Sequence, residues 1–502
     1  MTARIRTLIA TIFFMVMAAA TFQAARSFAT ALERPELYDY FDDALSDVRE
    51  TLTAVTWTKS DVLLDRPFEA RDASSVAIRL TEAWSAHAEA LASGITAYLP
   101  DQFSGSALKR ATLSAANRNA RMIVLHQTAW PTFFHSDGSF LQVASDTFTV
   151  RFLLNEDKLG VYRLAEDNTI TTLLKNSTGW RVFSHERRAA KGLTIFRSKI
   201  EPESLRGFNY YPSEYPWSRF WPAFDQKVIR RDFSVMRGLG GNAVRVFLHQ
   251  KAFLYPADAT RDIANLKALL EEADAAGLRV VPTLFDMRGG FEPADWANDY
   301  LWLQSVLPVL ASAPNVAFVD LKNEPNLDYK AHGEGLVQAW LRTMAAASRQ
   351  IAPDLALTIG WSNAAAAGDL VDVVDVVTYH DFLAPETSSE RLAKVRAVAE
   401  SKPVYVTEIG ASSWSIFLGQ PHSLANQARV LQARLNGAAD ADGVFVWTLH
   451  DFPKPDPAAV GSSPWRLGLQ SAFGLIAFDG TEKPAANVVR AVFQNYSRNK
   501  SQ

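Results

Sequence analysis

From Leu205 onward the chain alternates short apolar runs with amphipathic helical segments, and eight such runs follow one another. They are LRGFNYY (205–211), AVRVFLH (243–249), RVVPTLFD (279–286) and VAFVDLKNE (316–324), then ALTIGW (356–361), DVVTYH (375–380), PVYVTEI (403–409) and GVFVWTL (443–449). Between them lie segments such as DIANLKALLEEADAAG, GLVQAWLRTMAAASRQ and LANQARVLQARLNGAA, whose apolar residues recur at helical spacing. Runs rich in Val, Ile and Leu describe strands buried on both faces, as parallel sheets require. Eight strand–helix repeats predict an α/β fold, a (β/α)8 TIM barrel over residues 200–498. An open doubly wound sheet competes, but it needs a glycine-rich phosphate loop after its first strand, and GFNYYPS is not one.

The preceding region, residues 35–190, has another texture and predicts a smaller α+β domain. Leu80, Trp84, Ala88, Leu91 and Ile95 fall on one side of a helix over residues 76–98. From Arg121, six β-rich runs follow with turn signals between them: MIVLH, SFLQVAS, TFTVRFLL, GVYRLAED, TITTLLK and WRVFSHER. With FFHSDGSFLQV and NSTGWRVFSHERR, this layout resembles the nuclear transport factor 2-like (SnoaL-like) cone. The resemblance implies a scaffolding or glycan-positioning role. It would put His135, Asp137 and His185 at the mouth of the cone, the alternative being hydrogen-bonded strand residues. Residues 190–203 read as a polar connector.

A formal charge of −3 leaves no basic excess to neutralise phosphates, so nucleic acid is not an expected partner. The absence of cysteine excludes disulfides, thiolate metal sites and a Cys nucleophile. No HExxH motif or calcium loop occurs, and neither metal nor other cofactor is expected. Arg4 and Arg6 precede the apolar run of residues 8–22, with Ala20, Ala24 and Ala29 following. Residues 1–29 therefore read as a signal peptide, the alternatives being an uncleaved membrane anchor or a buried helix. The run is shorter than the ~20 residues that span a bilayer comfortably. Export to the periplasm or beyond follows, with membrane contact only if the segment stays as an inner-membrane anchor. The sequence sets no oligomeric state.

In a (β/α)8 barrel the carboxy-terminal ends of the strands face the active site. Those ends carry Asn209, Arg245 and His249, Asp286, Asn323 and Glu324, Trp361, Tyr379 and His380, Glu408, and Trp447 with Asp451. Two glutamates on strands four and seven stand nearly opposite across the mouth. Paired carboxylates flanking a cavity are what glycosidic bond cleavage requires, one as the acid and one as the anion.

The motifs GFNYYP, NAVRVFL, LFDMRGG, KNEPN, TYHDF, VTEIG, WTLHDFP and FGLIAFDGTEKPA occur in this order. Together they resemble clan A of the glycoside hydrolases, most nearly family 5, the cellulase-like group. The resemblance implies a retaining β-glycosidase acting on a polysaccharide or oligosaccharide, with Glu324 as acid/base and Glu408 as nucleophile. By the same resemblance Asn323 bonds the sugar 2-hydroxyl, Arg245 keeps Glu408 ionised, His380 lines the cleavage subsite and Trp447 forms its floor. Asn209, His249 and Asp286 are further substrate-binding candidates. Two features depart from the family. His380-x-Phe382 stands where His-x-Tyr is usual, which leaves Tyr379 to substitute or the hydrogen bond to be missing. Asp286 and Arg288 stand where a simple cellulase uses neutral groups, which suggests another substrate or a salt bridge within the loop. Transglycosylation on the same site and a non-catalytic sugar-binding barrel in polysaccharide export are the alternative functions. Trp414 either walls a subsite or covers the barrel end.

Overall fold

The structure is a computed structural model that describes residues 55–116, 120–155, 158–192, 202–253, 259–417 and 420–499. The apolar run of residues 8–22 lies outside them. Among the described residues no helix is long and apolar enough to cross a membrane.

The first unit is a five-stranded sheet with helices on one face. A short β1 (Val55–Trp57) runs parallel to β2 (Ala120–Phe134), and β2, β3 (Phe140–Asn155), β4 (Lys158–Asn176) and β5 (Gly179–Gly192) follow as antiparallel neighbours. Six predicted runs are thus four long strands. The two apparent turns fail because their polar residues pair across the sheet: Asp146 lies opposite Asn168 and accepts a hydrogen bond of 2.8 Å from it. Asp167 is held by Arg187 at 3.0 Å. Polar residues that find a partner across the sheet are stabilised within a strand.

Helix α1 (Ala70–Ser93) and α2 (Gly105–Ala115) cover this sheet. Leu80, Trp84, Ala88 and Leu91 are buried as the periodicity predicts, but Ile95 is exposed. The cause is Gly94, whose left-handed φ of 73° ends the helix one residue earlier. His135 Nδ1 lies 2.8 Å from the Asp137 carboxylate in the exposed β2–β3 turn. His185 instead sits within β5, bonded to Thr171 and packed on Trp84. The three therefore do not meet.

The second unit is a closed barrel of eight parallel strands. Its strands are β6 (Leu205–Tyr210), β7 (Ala243–Phe247), β8 (Arg279–Thr283), β9 (Val319–Asn323), β10 (Leu357–Trp361), β11 (Val377–His380), β12 (Val404–Ile409) and β15 (Gly443–Val446). β15 pairs back onto β6, Phe208 opposite Val446, and closes the ring. The helices α3 (Gln226–Gly238), α4 (Ala259–Ala275), α5 (Trp296–Ala311), α6 (Glu334–Ile351), α7 (Ser388–Ala399) and α8 (Leu424–Gly437) lie between strands. The β10–β11 connection carries two 3-10 turns in place of a helix. A small hairpin, β13 (Ser415–Phe417) and β14 (Gln420–Pro421), follows β12. After β15 come α9 (Pro464–Ser471) and α10 (Pro484–Asn499).

The strands stop short of several predicted ends. His249 and Asp286 fall in the loops after β7 and β8 rather than in the strands. The two units share a core at α5, where the Tyr300 ring packs 5.5 Å from His126 and 5.2 Å from Phe148. Leu125 and Val150 join the same buried cluster, so the long sheet is seated on the barrel's outer wall.

Candidate active site

The site begins with a buried cation. Arg245 on β7 is fully buried, and its guanidinium is shared among residues of three other strands, β6, β9 and β12. One nitrogen donates to Glu408 at 2.6 Å and to Asn209 at 3.0 Å. The other donates to Asp320 and to Asn323, each at 2.7 Å. A planar fork suits this task because it meets two acceptors on each side without rotating. Asp320 is fixed in turn by Thr283 and by the backbone N–H of Gly360 at 2.8 Å. Only glycine fits at 360, since a Cβ there would come within 2.7 Å of the Asp320 carboxylate. The sequence pattern gives Asp320 no chemical role and allows it as an inward-facing structural residue of the barrel, which is where it lies. Its signal was the strand period, which turns it inward two places from Lys322.

Asn209 is not a sugar-facing residue. It is fully buried, its oxygen accepts from Arg245 and its nitrogen donates to the Thr407 carbonyl at 2.9 Å. It positions Arg245. Asn323 differs, because its oxygen faces Arg245 while its nitrogen donates to no protein group among the described residues.

Glu324 has φ 49° and ψ 46°, a left-handed backbone that costs a non-glycine residue about 1–3 kcal/mol. The strand's last register holds it there: its N–H donates 2.6 Å to the Gly360 carbonyl, and Pro325 starts a 3-10 turn immediately afterwards. Such strain turns the side chain out of the strand and across the mouth. Its carboxylate meets Nδ1 of His380 at 2.7 Å. Nε2 of the same imidazole lies 3.6 Å from Glu408 and has no hydrogen-bond partner. One oxygen from each glutamate and one His380 nitrogen all lie within 4.8 Å of one another. Among the described residues this trio could also cradle a cation, but the Arg245 guanidinium already supplies the positive charge on Glu408.

Burial raises the pKa of both glutamates, and their partners then separate them. Glu408 stays above the usual carboxylate range: burial and the charge of Glu324 outweigh His380 and Arg245. For Glu324 the order reverses. Burial raises it, but the His380 hydrogen bond and charge, with Arg245 and Lys322, bring it below its ordinary value.

Tyr379 does not replace the missing tyrosine. It is buried on the helix-facing side of β11, opposite His380, with Asp381, Arg391 and Arg396 as its charged neighbours. Phe382 is partly exposed, its ring under Arg434 and edge-on to Phe473. Trp361 is also buried in the helix layer and presents no open face. Asp451 binds Lys483 at 2.7 Å and anchors the C-terminal segment. Lys322 reaches Asp328 at 2.9 Å, and Arg288 spans from its loop to Asp299 on α5 at 2.8 Å.

On the far rim, Tyr211 donates 2.7 Å to Asp286. Tyr211 is not among the substrate-binding candidates of the sequence pattern, although it lies within the GFNYYP motif. Burial raises the Asp286 carboxyl, against the pull of Tyr211 and of His249. Burial lowers His249, whose Nδ1 has no hydrogen-bond partner. Trp447 sits between these halves, its ring edge-on to Tyr211 and Phe247 and its Nε1 donating to Gln470.

A closed barrel of eight parallel strands ringed by helices is the (β/α)8 fold, and solved glycoside hydrolase structures share it. An exo-β-1,4-mannosidase from Opitutaceae bacterium strain TAV5 superposes with a TM-score of 0.50 at 21% identity, covering 61% of this chain and 62% of that one. A GH5_18 protein from Streptomyces cattleya, solved with GlcNAc, gives 0.49 at 21%, over 59% and 81%. A β-glucuronidase from Bacteroides uniformis gives 0.47 at 16%, over 75% and 50%. At 21% identity the likeness to the mannosidase shows the fold alone. No family model and no curated protein sequence matches the chain.

Proposed function

We propose that the barrel is a retaining β-glycosidase of the family 5 type. The observation that carries this reading is the pair of carboxylates, Glu324 and Glu408, whose oxygens approach within 4.8 Å across the mouth. Retaining enzymes hold their carboxyl groups about 5–5.5 Å apart, whereas inverting ones leave about 6.5–9.5 Å for a water. In the first step a Glu408 oxygen bonds the anomeric carbon. The glycosidic oxygen leaves with the proton of Glu324. In the second step Glu324 takes a proton from water, whose oxygen displaces Glu408.

The division of labour rests on position and exposure. In the free site the pKa directions run the other way, Glu408 raised and Glu324 lowered, and bound sugar has to reverse them. The Glu324 side chain is 26% exposed and that of Glu408 only 7%. A sugar displaces water mainly from Glu324, and desolvation favours its protonated form. Arg245 stays on Glu408 throughout and supports the anion there. Asn323, with its unengaged nitrogen, is suited to a sugar hydroxyl, and Trp447 to a ring face.

Glu324→Gln should lower kcat by about 10²–10⁴-fold, the usual contribution of a general acid, and Glu408→Gln at least as much. Wild-type turnover by either variant would sink the assignment. The anomeric form of the first product, followed by NMR on a panel of β-glucans, β-mannans and bacterial exopolysaccharides, tests retention and names the substrate. Transglycosylation would appear there as products longer than the starting glycan. The charged start and apolar run of residues 8–22 support an exported enzyme. The seating of β2 and β3 on α5 favours a scaffolding role for the first unit.

A further inference from the structure

Trp465 is the one tryptophan among the described residues that stands exposed, at 47%. It lies on α9, in the segment that follows strand eight, and meets Trp414 with ring centroids 5.2 Å apart at 90°. Trp414 belongs to the loop after β12, only a few residues beyond Glu408. Its ring is pressed against the helix backbone at Gly468, where a Cβ would lie 2.3 Å from an indole carbon. The T-shaped contact fixes the angle of Trp465 against Trp414, and the Trp465 ring remains about half exposed.

This pair is tied to the cleavage site twice. Ser412 donates 2.8 Å to the Leu469 carbonyl, joining the loop after Glu408 to α9. Gln470 on the same helix accepts from Trp447 Nε1 at 3.3 Å. Trp465 precedes Gln470 by one and a half helical turns, roughly 7.5 Å along the axis. The helix that holds the Trp447 indole N–H through Gln470 therefore also carries an exposed indole farther along its length.

We propose that Trp465, braced by Trp414, is a distal sugar subsite that stacks a ring of a β-linked hexose chain extending from the cleavage point. The inference rests on the glycosidase reading for its direction. Its chemistry is independent: β-linked gluco- and manno-configured rings present flat C–H faces, and these stack on an exposed indole. The competing role for the pair is a structural cap over the barrel end.

Native gels cast with barley β-glucan or with glucomannan test it without turnover. The full-length Glu408→Gln protein should be retarded by one of the two glycans. Adding Trp465→Ala should weaken that binding about tenfold, and Trp465→Phe should restore most of it. In the active chain, Trp465→Ala should lower kcat/KM for a hexasaccharide of that glycan about tenfold more than for its aryl β-glycoside. Retardation that does not depend on Trp465, no retardation in either gel, or equal losses on long and short substrates would overturn the subsite. Trp465-dependent retardation by a wild-type chain that cleaves nothing on the panel would keep the subsite and sink the glycosidase reading instead.

Discussion

The Nδ1 atom of His380 lies 2.7 Å from a Glu324 oxygen, and the opposite ring nitrogen lies 3.6 Å from Glu408. One imidazole thus bears on both carboxylates, and its charge lowers the proton affinity of each. The proposed mechanism needs Glu408 ionised and Glu324 protonated. That is a minority form of the free enzyme when Glu408 is raised and Glu324 lowered, so the two limbs of the pH profile belong to the pair. Removing the ring with His380→Ala lets both pKa values rise. The whole bell in kcat/KM should therefore move to higher pH, with a lower maximum. A shift of one limb alone would contradict the action of His380 on the pair.

Arg245 is the larger structural commitment. It is the shared donor to Glu408, Asp320, Asn323 and Asn209, all in the barrel mouth. Arg245→Ala leaves buried carboxylates without a counter-charge, a loss of about 3–5 kcal/mol. Denaturant unfolding should show that loss. Arg245→Lys should recover part of the stability, because it keeps the charge, yet little activity, because it lacks the fork. Equal activity of the Lys variant and wild type would contradict the geometric role.

Glu324 keeps a left-handed backbone that only its surroundings enforce. Glu324→Gly should remove the steric cost and raise stability by up to about 1 kcal/mol, offset by the lost His380 contact, while abolishing turnover. A variant less stable than Glu324→Gln would argue that the backbone is unstrained.

Asp299 makes stability depend on pH. Burial pushes it up to about 6, against the pull of Arg288 and Trp340. A carboxyl with a folded-state pKa above its unfolded one is stabilised as the acid. Its contribution is whole below about pH 4 and is lost as the pH rises through about 6. From 3.8 to about 6, at 1.36 kcal/mol per pH unit, the difference is about 3 kcal/mol. Wild type should therefore lose about that much relative to Asp299→Asn between pH 4 and pH 7, measured by urea unfolding. A constant difference between the two proteins would refute the shift.

Much of this protein was legible along the chain. Eight apolar runs separated by helical segments carried the barrel, because strands buried on both faces have no polar alternation to hide them. Asn323–Glu324 and Glu408 stood out because acidic groups at the ends of such runs are costly unless they serve something. Other readings failed where a partner lay far away in sequence. Asn209 looked like a rim group until Arg245 and Thr407 used both ends of its amide. Tyr379 stood beside His380 in sequence but on the opposite face of the strand, since side chains alternate. Asp146 and Asn168 break the predicted runs because their pairing with each other across the sheet is invisible along the chain.

The sequence by itself determined which segments must be buried and where charge would sit at their ends. Period and apolarity are local properties. Closure of the ring decided the rest: it brought β15 beside β6, and so set Arg245 between Glu408 and Asp320 and one imidazole between two glutamates. Those contacts join residues far apart in the chain, and no local pattern records a hydrogen bond that exists only after the barrel has closed.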